Sequence, residues 1–144
     1  MTTKALTAAR LALGFAFFVF GLNGFLHFLP QPPMSGAAGE FLGALGATGY
    51  MFPFIKGTEV VVGLLLLSGR YVPLALTLLA PVTLNIVAFH AFLAPAGLAV
   101  PLLLLALHLY LAYSFRAAYA PMLAAIATPT VAPQTPAFKA KAQV

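Results

Sequence analysis

Lys56-Gly57-Thr58-Glu59-Val60-Val61-Val62-Gly63-Leu64-Leu65-Leu66-Leu67-Ser68-Gly69-Arg70 is the stretch on which the fold turns. It joins a long apolar run to two charges of opposite sign, three residues apart. An i,i+3 spacing puts both side chains on one helix face, where each can neutralise the other. That matters if the surrounding solvent is lipid, because an ionisable side chain there is costly without a partner. The run ends at Ser68-Gly69-Arg70, with a flexible glycine and a cation to stop the helix.

Working outward, the rest of the chain has the same character. Of its 144 residues, 62% are hydrophobic and 6% charged, with a mean hydropathy of +1.04. A soluble domain has about a quarter of its residues charged. So small a chain could not hide this much apolar surface from water, and lipid must solvate much of it. With no cysteine, thiolate metal sites, iron–sulfur clusters and disulfide chemistry are excluded. Tryptophan is also absent, which leaves Tyr50, Tyr71, Tyr110, Tyr113 and Tyr119 for interfacial positions. The net charge of +5 comes from scattered residues that form no patch, so nucleic acid is not an expected partner.

Four apolar segments follow: about Ala5 to Phe28, Phe52 to Leu67, Val72 to Leu93 and Leu98 to Tyr119. Each approaches the roughly 17–25 residues a spanning helix needs. Pro30, Pro32 and Pro33 stop the first, and Pro95 follows the third. Between the first two lie Gly36, Gly39, Gly43, Gly46 and Gly49, at three- and four-residue spacing around Phe41, Leu42 and Leu45. That pattern suits a short interfacial or re-entrant helix. Residues 1–119 form the membrane domain. Residues 120–144, with Pro121, Pro129, Pro133 and Pro136, read as a mobile cytoplasmic Ala/Pro-rich tail. A cleaved leader is the poorer reading of the first segment, which is long for one and contains Asn23 and His27.

Lys4, Arg10, Arg70, Arg116, Lys139 and Lys141 fall at one set of helix ends, whereas the first long loop carries only Glu40. Basic residues favour the cytoplasmic side. The expected fold is therefore an all-α membrane protein: a four-transmembrane-helix bundle in the inner membrane, multi-pass, with both termini inside. This topology places Lys56 and Glu59 of the second span, Asn23 and His27 of the first, and Asn85 and His90 of the third in the outer half at comparable depth. These six are the candidate ligand-binding residues. Asn23 and Asn85 also suit helix-to-helix hydrogen bonding, and His27 and His90 suit proton carriage. No HxxxH or HxxE spacing supports a metal site. His108, near the middle of the fourth span, reads as a hydrogen-bonded packing residue. Gly14, Gly21, Gly24, Gly57 and Gly63 would let helices approach closely.

The runs Phe20-Gly21-Leu22-Asn23-Gly24-Phe25-Leu26-His27-Phe28, Lys56 to Arg70 and Pro81 to His90, in this order, resemble the DoxX-like membrane proteins over residues 10–115. The resemblance implies a compact four-helix bundle and points to Glu59. It also implies links to quinone and sulfur redox metabolism or to membrane-protein assembly. Many members have a basic residue near the end of the first span, where this chain has Asn23 and His27. The leading expectation is an accessory subunit with a polar intramembrane pocket, where Lys56 and His27 would donate to a quinone carbonyl and Glu59 or His90 would carry a proton. No cofactor is intrinsic to the chain, which is not expected to be catalytic alone. A scaffold or assembly factor, and a small oligomeric transporter, are the other two expectations. Partners would be the lipid bilayer, other membrane or redox proteins, and further copies of the chain.

Overall fold

The computed structural model describes residues 2–30 and 33–126. All its regular elements among these residues are helical: α1 (Thr3–Leu26), α2 (Gly36–Ala47), α3 (Met51–Ser68), α4 (Val72–Phe92), a 3₁₀ turn at Pro95–Gly97, α5 (Ala99–Ser114) and α6 (Arg116–Tyr119). Helices α1, α3 and α4 are long and apolar enough to cross a membrane; α5 is apolar but has only 16 residues. The protein is a helical membrane protein. Phe15, Leu103 and Leu109, each at least 60% exposed, supply the outward apolar surface that lipid solvates.

Helices α1 and α3 pack antiparallel with their backbones in near contact. A methyl group added at Gly63 would lie 2.6 Å from the Phe18 amide nitrogen, and one at Gly21 would lie 2.8 Å from that of Val60. Gly14 meets Leu66 in the same way. Glycine at these positions brings the helices closer than any side chain would permit, and close approach is what drives helix association in lipid. Gly57 departs from the expectation: nothing lies within 4 Å of its missing side chain, because it faces an open groove and not α1.

Arg10 fixes the register of this pair. Its Nη1 donates to the carbonyls of Leu66 and Leu67, the latter at 3.1 Å. These belong to the last turn of α3, whose carbonyls have no donor within the helix. Gly69 ends α3 with φ 71°, a left-handed conformation that glycine adopts freely. A side chain there would crowd the guanidinium. Arg10 therefore has a packing role that its charge alone does not reveal.

Helices α4 and α5 also run antiparallel, and together with α1 and α3 they enclose a core of Leu13, Phe17, Val62, Leu66, Leu76, Leu79 and Leu111. Beyond the far end of α1, α2 touches this frame through Phe41, whose ring centroid is 5.7 Å from that of Phe89. The fourth apolar segment ends earlier than expected. The Ser114 hydroxyl donates to the Tyr110 carbonyl at 2.6 Å, Arg116 Nη1 donates to the Tyr113 carbonyl at 3.0 Å, and the Arg116 guanidinium covers the Tyr113 ring at 4.5 Å. Side-chain donors close the final turn, and α6 restarts as one short turn. The residues expected to form the tail lie outside the described residues from 127 onward.

Gly63→Ala should destabilise the protein by about 1–3 kcal/mol, the usual cost of overpacking. Gly57→Ala should stabilise it by about 0.5–1 kcal/mol through helix propensity. Unfolding of both variants in the same detergent checks the contrast, and equal effects would contradict the glycine seam.

Candidate functional site

Glu59 is the ninth of the 18 residues of α3, at the midpoint of the helix. Its residue is 1% exposed, covered by α1 where Gly21 leaves room for its Cβ. Lys56 Nζ donates to Glu59 Oε2 at 2.8 Å. The Lys56 side chain is 20% exposed and that of Glu59 2%. The aliphatic stem of Lys56 lies over Gly24, where any added side chain would collide with it. The pair thus belongs to the α1–α3 seam: glycines on α1 admit both side chains, and each charge is matched within one helix turn.

Among the described residues, none of the other four candidates shares a hydrogen bond with this pair. Asn23 is 1% exposed, and its Oδ1 accepts from the Leu29 amide at 2.6 Å. It locks the chain that leaves α1 instead of hydrogen-bonding to another helix. His27 caps that helix in a left-handed conformation, φ 52°, and is exposed. His90 sits in the last turn of α4. Its Nδ1–H donates to the Ile86 carbonyl at 2.9 Å, and its ring packs edge-on to Phe89 and against Gly97 of the 3₁₀ turn. Asn85 faces outward on α4 and is exposed, with no side-chain hydrogen bond among the described residues. Asn23 and Glu59 are buried, whereas His27 and Asn85 are exposed.

A second polar cluster lies between α4 and α5. Thr83 Oγ1 and His108 Nδ1 share a hydrogen bond of 3.1 Å, with the residues 2% and 5% exposed. The Leu76 carbonyl also faces the imidazole. His108 is here the packing residue its position suggests. Thr83 carries no signal as a residue type, but its spacing of four and seven from Leu79 and Leu76 places it on the buried face of α4.

Two open grooves mark the surface of the described residues. One lies along Thr3, Lys4, Thr7, Ala8 and Leu11 at the start of α1, and the other follows Phe54, Gly57, Thr58 and Val61 of α3 beside Leu78 of α4. Neither is lined by Glu59 or Lys56. Among the described residues, no three His, Asp or Glu side chains come together as metal ligands would. The chain matches no family model, no curated protein and no solved structure. The DoxX-like resemblance accordingly rests on the order of its sequence motifs.

Removing one partner of a buried pair strands the other, at roughly 3–5 kcal/mol. Lys56→Met should fall near the lower end of that range, since Lys56 remains partly exposed. Adding Glu59→Gln to Lys56→Met should restore part of the loss. Unfolding free energies of the two single variants and the double variant measure this coupling; additive losses would mean that the pair does not hold the seam.

Proposed function

We propose that this chain is a multi-pass inner-membrane accessory protein that acts by lateral association of its helices, as a scaffold or assembly subunit. One observation carries the reading: Asn85, inside an apolar helix, is exposed and has no side-chain hydrogen bond among the described residues. A polar side chain placed in this way gains its hydrogen bonds when another membrane segment docks. The alternative of a quinone-linked pocket centred on Glu59 requires a carboxylate that a ligand can reach. Glu59 is sealed against α1 and already paired, so the geometry supports association better than ligand binding. Within this reading α5 is the fourth span, and both termini lie in the cytoplasm.

Solubilised from its own membranes in mild detergent, the protein should migrate in a complex larger than its 15.0 kDa chain. Asn85→Leu should shrink that complex while leaving helix content and thermal unfolding unchanged. A lone chain in both cases would refute association.

Reporter fusions at each end test the topology. Both should read as cytoplasmic; a cytoplasmic N-terminus with an external C-terminus would show that α5 does not cross.

A further inference from the structure

The exposed residues of α4 form one continuous face. Leu74, Thr77, Leu78, Pro81, Leu84, Asn85 and Ala88 recur at three- and four-residue spacing, and all are exposed. Asn85 is the fourteenth of the helix's 21 residues. It therefore lies three residues past the midpoint, about 4.5 Å along the axis at ~1.5 Å per residue. If α4 crosses the bilayer, this amide is held near the hydrocarbon centre, far from any headgroup.

The polar neighbours of Asn85 on this surface settle their own hydrogen bonds. Thr77 Oγ1 donates to the Pro73 carbonyl at 3.0 Å, and Thr58 Oγ1, on the neighbouring groove, donates to the Phe54 carbonyl at 2.9 Å. A hydroxyl can do this because it needs one acceptor and reaches the preceding turn. A carboxamide brings two donors and an acceptor, and Asn85 has none of these engaged by a side-chain hydrogen bond among the described residues. Lipid offers no replacement at that depth.

We infer that the occupant of this face is a second copy of the chain, docked about a two-fold axis along the membrane normal that passes beside Asn85. The inference rests on the reading that the α3–α4 surface associates laterally, and it adds the partner. Two features favour a copy over an unrelated helix. A two-fold along the normal brings Asn85 of each copy to the same depth without any further coincidence. The carboxamide is self-complementary, so the oxygen of one side chain accepts from the nitrogen of the other and the reverse. Ala88, one turn from Asn85, is small and leaves room for a partner helix to approach. The groove along Phe54, Gly57, Thr58 and Val61 beside Leu78 then offers the partner a concave seat.

The absence of cysteine makes the test direct, since a single introduced thiol can cross-link only to another copy. In lipid vesicles at low protein density, Ala88→Cys should give a cross-linked dimer with a short thiol-reactive linker. Leu109→Cys, 60% exposed on α5, should stay monomeric. Adding Asn85→Leu to Ala88→Cys should weaken the monomer–dimer equilibrium roughly 3- to 30-fold, and Asn85→Gln, which keeps the amide, should weaken it less. The inference is overturned if Ala88→Cys cross-links no better than Leu109→Cys, or if Asn85→Leu leaves its dimer fraction unchanged. Should either result come with a native-membrane complex that still depends on Asn85, a different protein occupies the face and lateral association stands. If that dependence is also absent, lateral association falls as well.

Discussion

The near-contact of two helix backbones at Gly21 and Gly63 is the constraint on which the rest of this structure depends. Once α1 and α3 approach this closely, each level of the seam accepts only what the glycines leave free. Glu59 is admitted because α1 offers no side chain opposite its Cβ. No ionisable group on α1 is positioned to neutralise it, so the neutralising charge comes from one turn earlier on its own helix, as Lys56. At the other end of the seam Arg10 crosses to the last carbonyls of α3. The pair of helices is bracketed by two cations with different tasks: one matches a buried carboxylate, the other completes an unfinished helix end.

The α4–α5 half solves the same problem of holding helices together without a hydrophobic driving force by other means. Its clasp is a buried threonine and histidine, supported by the Leu76 carbonyl five residues before Pro81. Proline at 81 withholds the amide that would bond to the Thr77 carbonyl, and its ring is on the exposed side of the helix, away from the clasp. At the N-terminal end of α4 the Tyr119 hydroxyl donates to the Pro73 carbonyl at 3.3 Å. The short restart at α6 thus ties the chain beyond α5 back to the start of α4, although α5 itself stops after 16 residues.

Much of this is legible in the residues themselves. The limits of α1, α3 and α4 fall within a few residues of the apolar segments, because prolines and the Ser68-Gly69-Arg70 stop mark where an apolar helix can no longer continue. The spaced glycines anticipate α2. The end of α5 is harder to read: Tyr110 to Tyr119 is apolar and aromatic apart from Ser114 and Arg116, and only the side-chain bonds of those two show where the helix closes. The site divides in the same way. Lys56 and Glu59 are readable because their pairing is local to one helix. Charge bias gives depth, and depth drew Asn23, His27, Asn85 and His90 toward that pair. It says nothing of azimuth, which depends on which face of each helix is packed. Asn23 turns to an amide six residues ahead, His27 lies past the helix end, and Asn85 points outward.

The contrast between Glu59 and Asn85 is the basis for the proposal that the outer surface of the bundle associates with a partner. A charge in the interior is the more conspicuous feature, but here Lys56 pairs with Glu59 Oε2 and the seam encloses the residue. Threonines exposed to lipid are settled too, since a hydroxyl can return its proton to the preceding turn of its own helix. A carboxamide on a helix cannot satisfy both its donors and its acceptor in that way, because the backbone around it is already bonded to itself. Among the intramembrane polar side chains described, Asn85 is the one whose chemistry points beyond the single chain. The structure therefore answers the question posed by its buried charges internally and leaves an unanswered hydrogen-bonding demand on the face of α4.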